Sequence, residues 1–428
     1  MQLSTWGTSM SRLSGIRSIM DDIAAAVGEP SDGPWFNLSP GNPAMIPEVV
    51  DTWRRLAEES VRDDFFGAGG QYGPSRGTNA LVGAIVRYFN AAYGWGIGPE
   101  NVLVGPGSQM LAFMAVNAYT GPTDRGERKL VLPCVPDYTG YQGLSIAERG
   151  IVGVEPVVTV EDGTVGDGRQ FRYGVDLAAV RRATATGGAM LLSSPSNPTG
   201  RSLDAAELDG LVAIAAERDI PLIVDHAYGQ PFPGVVDTPL TPVLHPNVVN
   251  CFTFSKAGMP GERIGFAIGP ADAIDAMVSF TANAALHAPQ LMQNAAARAL
   301  DSGDIDVLTA KVIKPYYRAK RRLAEELLRE HLPESVDWRL HRSDGGMFCW
   351  LWIDHDWFDD LVAYRALKSK NVFIVPGRHF FVGPLTTPFL ADHGTRCVRL
   401  SLSGPEDVIA TGVARLGATL TEQRRAAS

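Results

Sequence analysis

Short apolar runs whose last residues turn polar or small recur along the first two thirds of the chain. NVLVGPGSQ (101 to 109), KLVLPCVPDY (129 to 138), AMLLSSPSNPTG (189 to 200), PLIVDHAYG (221 to 229) and VVNCFTFSKAG (248 to 258) share this design. Each is the length of a strand, and helical periodicity separates some of them, as in TNALVGAIVRYFNAAY (78 to 93) and over 204 to 218. Strands that are apolar almost without interruption need cover on both faces, so the pattern predicts a mostly parallel sheet between helical layers. Ligands of such sheets bind beyond the carboxyl ends of the strands, where these polar residues fall. After about residue 300 the pattern changes. A mixed-charge helical stretch over 304 to 331 precedes candidate strands at 347 to 353, 371 to 375 and 396 to 403, with helix-like spans near 357 to 370 and 405 to 424. The expected architecture is α/β: a large domain over 46–303 with a mostly parallel central sheet covered by helices, and a smaller α+β domain over 304–428. The N-terminal segment, 1–45, is expected to pack with the smaller domain.

The length of 428 residues agrees with two domains, because single cores rarely grow beyond roughly 250 to 300 residues. With 38 Lys and Arg against 47 Asp and Glu, the net charge is −9 and no basic block stands out, which argues against nucleic acid or an anionic membrane as partner. Cys134, Cys251, Cys349 and Cys397 are scattered without metal-ligand spacing, so no metal site is expected and a reducing compartment fits. The first residues do not resemble a secretory signal, and no apolar run reaches the eighteen or so residues of a membrane span. The expected location is cytoplasmic.

The strand ends carry the chemistry. Asp225 closes the run PLIV, and Tyr228 follows three residues later. A carboxylate there can face a cationic ring nitrogen while the phenol reaches another edge, although an N-cap aspartate and a packed tyrosine explain the pair equally well. Asn197 lies in a loop forced by SSPSNPTG and can donate to a phenolic oxygen or make an Asx turn. Gly107, Ser108 and Gln109 follow a strand directly, where N–H groups of a starting helix and a hydroxyl can hold a phosphate. Lys256 ends a buried run. Alone it reads as a snorkelling surface lysine, but a desolvated lysine is a free amine near neutral pH and condenses with aldehydes. Arg263 can add charge-assisted bonds to a phosphate nearby. An amine, a carboxylate for a pyridinium nitrogen, donors to a ring phenolate and an anion nest together meet the needs of one cofactor, pyridoxal 5'-phosphate.

The ordered set SGIRSIMDDI, LSPGNPAMIPE, QYGPSRG, NVLVGPGSQ, LPCVPDYTGY, SSPSNPTG, VDHAYGQPFPG, FSKAGMPGERIG, VPGRHFF and CVRLSLS resembles the fold-type I pyridoxal-phosphate-dependent aminotransferases of class I/II, and among them the valine–pyruvate branch. The resemblance spans almost the whole chain. It implies that Lys256 is the Schiff-base lysine, that Asp225 pairs with the pyridine nitrogen, and that Tyr228 and Asn197 donate to the 3-oxygen. Gly107, Ser108 and Gln109 would bind the phosphate with Thr253 or Ser255 and Arg263, and Tyr138 would stack on the ring. Tyr72 would reach the phosphate in a neighbouring subunit, making a homodimer with shared active sites. Arg399 would clamp the substrate α-carboxylate under a loop containing Gly41 and Asn42. The implied reaction is ping-pong transfer of an amino group between a valine- or alanine-like L-amino acid and a 2-oxo acid such as pyruvate. The alternative on the same frame is a specialised biosynthetic enzyme for β/γ-substitution, cyclisation or decarboxylation. His226, Arg378 and His379 have no role assigned by the resemblance. The apolar residues of SIM (18 to 20) and Tyr138 suit a branched aliphatic side chain, whereas Arg378 and His379 suit a polar one.

Overall fold

In the computed structural model the described residues are 1–428 apart from 12–14, 29–32, 125, 148–149, 162–166, 239 and 428, so Ser14 of the SGIRSIMDDI stretch lies outside them. The apolar runs form one eight-stranded sheet in the order Val102–Gly105, Gly265–Ile268, Val248–Thr253, Leu222–Asp225, Gly187–Ser193, Gly126–Leu132, Gly121–Thr123, with Ile151–Gly153 also paired to Gly126–Leu132. The four central neighbours run parallel, and Gly265–Ile268 is antiparallel to both strands beside it. Alternation explains why these runs look uniformly apolar. Val102, Val104, Phe266 and Ile268 point into one helical layer with Trp53 and Phe89, while Leu103 and Ala267 point into the other with Leu111 and Met114. Each fully buried phenylalanine, such as Phe252 or Phe266, contributes about 1.5–3 kcal/mol.

Local signals set the helices. Asn79–Tyr93 starts at Thr78, whose hydroxyl accepts from Leu81 N–H, and stops at the left-handed Gly94. Ala205–Arg218 begins with a capping box between Asp204 and Glu207. The expected helix over 304 to 331 is Asp304–Leu308, a wider π turn Thr309–Ile313, and Lys314–His331. The widening precedes Pro315, which has no N–H to donate and crowds the turn before it.

A second, six-stranded sheet runs in the order Val375–Pro376, Cys397–Ser401, Phe348–Ile353, Trp338–His341, Gln170–Gly174, Val157–Val160. Its last two strands are a hairpin from the middle of the chain, joined in parallel to Trp338–His341 through the pair Leu340 and Gln170. A third, two-stranded pairing sets Phe36–Asn37 beside Val372–Phe373. The four cysteines are unpaired, and among the described residues no helix is long and apolar enough to cross a membrane.

Candidate active site

Loops from the carboxyl ends of the large sheet and from the smaller sheet meet around Lys256. The lysine sits in a tight turn, Ser255–Ala257, directly after strand Val248–Thr253. Gly258 ends that turn at φ +115°, where a β-carbon would stand 2.4 Å from Val49 Cγ1. Trp53 donates its indole N–H to the Ala257 carbonyl at 2.8 Å, so helix Pro47–Gly69 braces the lysine from behind. The Lys256 Nζ donates to the Gly41 carbonyl at 2.7 Å. Burial, reinforced by the positive charges of Arg399 and Arg263, pulls its pKa down to about 8 against the opposing pull of Asp225.

Asp225 is buried at the end of its strand and accepts the Tyr141 phenol at 3.2 Å and the Ala227 N–H at 3.0 Å, with Ser108 as a further donor. Burial still pushes its pKa up to about 6. A cationic N–H brought against this carboxylate would restore full ionisation. The next residue turns away. His226 bonds through Nε2 with Asn250 Oδ1 at 2.8 Å and stacks on Phe252 at 4.8 Å, and burial lowers its pKa to about 4, so it is a neutral anchor for the neighbouring strand. Tyr228 returns to the site, its ring centroid 5.8 Å from Lys256 Nζ and its edge against Phe348.

An anion nest lies at the start of helix Ser108–Tyr119. Gly107 caps it at φ +83°, and a β-carbon there would stand 2.3 Å from a terminal nitrogen of Arg263. Glycine therefore serves both the backbone angle and the approach of the guanidinium. Arg263 donates to Ser255 Oγ at 3.1 Å and to the Pro260 carbonyl at 3.0 Å, and Thr253 donates to Ser255 Oγ at 2.9 Å. A guanidinium held against the positive end of a helix is unfavourable until an anion joins them. Gln109 contributes differently from its neighbours: its side chain donates to the Gly140 carbonyl at 3.0 Å and so supports the turn that carries Tyr138. Tyr138 meets Tyr141 edge to face at 5.3 Å.

Arg399 lies opposite Trp350 and Val375 in the smaller sheet. It donates to Asn197 Oδ1 at 3.0 Å and to the Ser39 carbonyl at 2.6 Å, between the rings of Phe348 (4.2 Å) and Phe380 (5.1 Å). Its Nε is buried without a partner, and burial draws its pKa down to about 10. Among the described residues neither Arg399 nor Arg263 has a carboxylate partner. Such charges are costly until an anionic ligand arrives. By accepting from Arg399 through Oδ1, Asn197 keeps its amide donors for another group. The loop SPGNP touches both cations, through Ser39 to Arg399 and Gly41 to Lys256, while Asn42 is exposed.

Other sequence candidates lie elsewhere. Tyr72 is 86% exposed and meets His287 edge to face at 5.9 Å, in a loop held by the Gln290 amide on the Gln71 carbonyl. Arg378 is bound to Asp359 and Asp360, so it is not free for a substrate anion. His379 packs against Gly15, and burial lowers its pKa to about 4. Of SIM, Ile19 is buried in the core of the smaller sheet and Met20 is exposed. Ile16, one helical turn earlier, is partly buried against the hydrophobic cluster that contains Phe380. Sequence reasoning missed Tyr141, Asp137, Ser39, Phe348 and Phe380. Tyr141 had a signal, being three residues after Tyr138 on a turn; the two phenylalanines read as ordinary core.

The residues present suit pyridoxal phosphate: a nest for a dianion, a buried carboxylate, a desolvated amine, and a separate unpaired guanidinium for a carboxylate. Residues 34–416 match the family model of aminotransferases of class I and II. The chain is 30% identical to valine–pyruvate aminotransferase of Escherichia coli (strain K12) over 415 residues, 96% of each chain. Its fold is similar to a putative amino-acid aminotransferase from Psychrobacter arcticum 273-4, with TM-score 0.93, 29% identity and 99% of each chain covered. It is also similar to the valine–pyruvate aminotransferase of Salmonella typhimurium LT2, with TM-score 0.84 and 28% identity over 96% of this chain and 100% of that one.

Proposed function

The chain belongs to the class I and II aminotransferases, pyridoxal-phosphate enzymes that move an amino group from an amino acid to a 2-oxo acid, and we propose that its donor is a valine- or alanine-like L-amino acid and its acceptor pyruvate. The observation that carries the site assignment is the pair of guanidinium groups without carboxylate partners, Arg263 and Arg399, both close enough to Lys256 to depress its pKa yet fixed by different loops. One suits a phosphate and the other an α-carboxylate.

When bound, pyridoxal phosphate supplies an aldehyde that takes up the amino group and a ring that takes up the electron pair left by the α-proton. In our reading Lys256 Nζ would hold the cofactor's aldehyde carbon between turnovers and, as a free amine, would take the α-proton and pass it to that former aldehyde carbon on the far side of the nitrogen. Asp225, kept in place by Tyr141, Ala227 and Ser108, holds a proton on the ring nitrogen. Tyr228 and Asn197 donate to the ring oxygen, and Tyr138 covers a ring face. The Gly107–Gln109 backbone with Ser108, Thr253, Ser255 and Arg263 binds phosphate. Arg399 orients the α-carboxylate beneath the loop of Gly41 and Asn42, which sheds water from the reacting carbon. A second substrate, the 2-oxo acid, uses the same contacts in reverse.

The relatives named for valine and pyruvate support the substrate reading. So does the engagement of Arg378 by Asp359 and Asp360, which withdraws the cation that an acidic side chain would need. An apolar pocket separates homologues differing by one methylene by only about 1–3 kcal/mol, so overlap with isoleucine and 2-aminobutyrate is expected. A half-reaction screen over the proteinogenic amino acids should give valine or alanine the highest conversion of bound pyridoxal phosphate to its amine form. Failure of both with cofactor in place overturns the substrate reading.

We further propose a homodimer with shared active sites, in the cytoplasm, divided at the boundaries 46–303 and 304–428 with 1–45 joined to the smaller part, to which the hairpin Val157–Val160 and Gln170–Gly174 also lends its two strands. The pairing of Phe36–Asn37 with Val372–Phe373 supports the last point, and the free cysteines suit a reducing compartment. For the dimer, Phe65, Phe66, Tyr72 and Leu286 are large, apolar and exposed, and Tyr72 is 86% exposed with its ring against His287. Mixing Tyr72→Phe chains with Lys256→Ala chains is expected to produce heterodimers with one native site and activity above both parents. No gain after verified subunit exchange would count against shared sites.

A further inference from the structure

Asp137 is a buried carboxylate to which the reaction assigns no role so far. It follows strand Gly126–Leu132 and sits immediately before Tyr138. Its Oδ1 accepts the Tyr138 N–H at 2.7 Å and the Ser193 hydroxyl, and its Oδ2 accepts the Ser193 N–H at 3.0 Å. Ser193 Oγ in turn accepts the N–H of Asn197 at 3.3 Å, and Ser193 is the register partner of Asp225 in the adjacent strand. The Asp137 N–H donates to the Phe380 carbonyl at 3.0 Å, and the Phe380 ring lies 5.1 Å from the Arg399 guanidinium. One side chain and its own backbone thus tie together the turn of Tyr138, the loop of Asn197 and the wall beside Arg399.

A purely structural link at this position does not call for a carboxylate. Among the described residues Asp137 has no cationic partner, and burial pushes its pKa up to about 7 although its three donors pull the other way. An uncompensated carboxylate in such a place is costly. What it offers is three-fold acceptance: an asparagine would keep one oxygen but turn its amide N–H toward the Ser193 N–H, donor against donor.

We infer that Asp137 is a positioning residue for the reaction, setting the seat of the Tyr138 ring and the Asn197 amide on the cofactor without itself touching cofactor or substrate. The inference rests on the assignment of this cleft as the pyridoxal-phosphate site. If borohydride fixation of the parent enzyme does not mark Lys256, that assignment fails; if it does mark Lys256, variants of the Asp137 link test the positioning role alone.

In Asp137→Asn holoenzyme the expected result is a kcat about 30- to 300-fold below the parent, with KM for the amino acid changed less than about threefold because Arg399 is untouched. The visible circular dichroism of bound cofactor, which reports ring tilt, should change by half or more. The cofactor-free variant should melt within a few degrees of the parent. A kcat within threefold of the parent overturns the inference. So does a loss of kcat with parental circular dichroism, since the ring would then sit as in the parent and the loss would arise elsewhere. If Asp137→Asn does not fold, Ser193→Ala removes one donor and the Asn197 link while leaving the Ser193 N–H in place. It should lower kcat about 3- to 30-fold with a change of the same sign in circular dichroism, and parental values of both overturn the inference.

Discussion

Lys256→Ala enzyme, purified with excess pyridoxal phosphate, is expected to lose transamination by about 10⁴-fold or more, the upper range for loss of a general acid–base group. The turn that carries the lysine is held by Trp53 on the Ala257 carbonyl and by the left-handed Gly258, neither of which needs the side chain. The variant should therefore fold and still bind cofactor in the nest of Gly107 and Arg263, without covalent attachment. Borohydride and then peptide mapping should place the pyridoxyl group on Lys256 in the parent and nowhere in the variant; a mark on another lysine refutes the assignment. The depressed pKa of about 8 also fixes a pH dependence. Below that value the amine is protonated and cannot attack, so capture of cofactor by the cofactor-free enzyme should rise about tenfold per pH unit up to pH about 8 and then level. The same shift bears on stability. Between about 8 and the ordinary lysine value of 10.5 the unfolded chain binds more protons than the folded one, so the cofactor-free fold gains stability as pH rises through that window.

Asp225→Ala is expected to lower kcat by about 10³-fold while leaving KM for the amino acid within a few-fold, because its carboxylate acts only as negative charge moves into the ring. The removed group is buried with its pKa pushed up to about 6, so its charge opposes folding rather than supports it; what is lost is an acceptor for Tyr141 and Ala227. Tyr141→Phe should show a smaller loss with the same character, since the phenol holds the carboxylate but leaves it in place. Near-parental turnover of cofactor-loaded Asp225→Ala would overturn the assignment.

The strands and the candidate residues at their ends were legible because a parallel sheet leaves a strong imprint: both faces covered, polar residues only at the carboxyl ends. Lys256, Asp225, Asn197 and Gly107 each stand at such an end. The illegible part arises from pairing across distance. The hairpin Val157–Val160 and Gln170–Gly174 joins Trp338–His341, far along the chain, and no local period announces that. Arg378 looked available because Asp359 and Asp360, its partners, lie nineteen and eighteen residues earlier at the start of a separate helix. The inner face of helix Gly15–Gly28 could not be told from its outer face until its neighbours were known: Ile19 is buried and Ile16 partly so, whereas Met20 is exposed.

The hairpin also has a mechanical meaning. It is woven into the smaller sheet yet rooted at both ends in the larger body, by Val154 bonded to Leu132 and Val135 at 3.0 Å each and by the Val175 N–H on Glu207 at 3.0 Å. A swing of the C-terminal half as one paddle would have to tear these roots or unzip the strand pair at Leu340 and Gln170. The span of Ser39 to Asn42, by contrast, lies outside both sheets and is tied to Arg399 and Lys256 by one carbonyl each, so it is held there by single hydrogen bonds rather than by strand pairing.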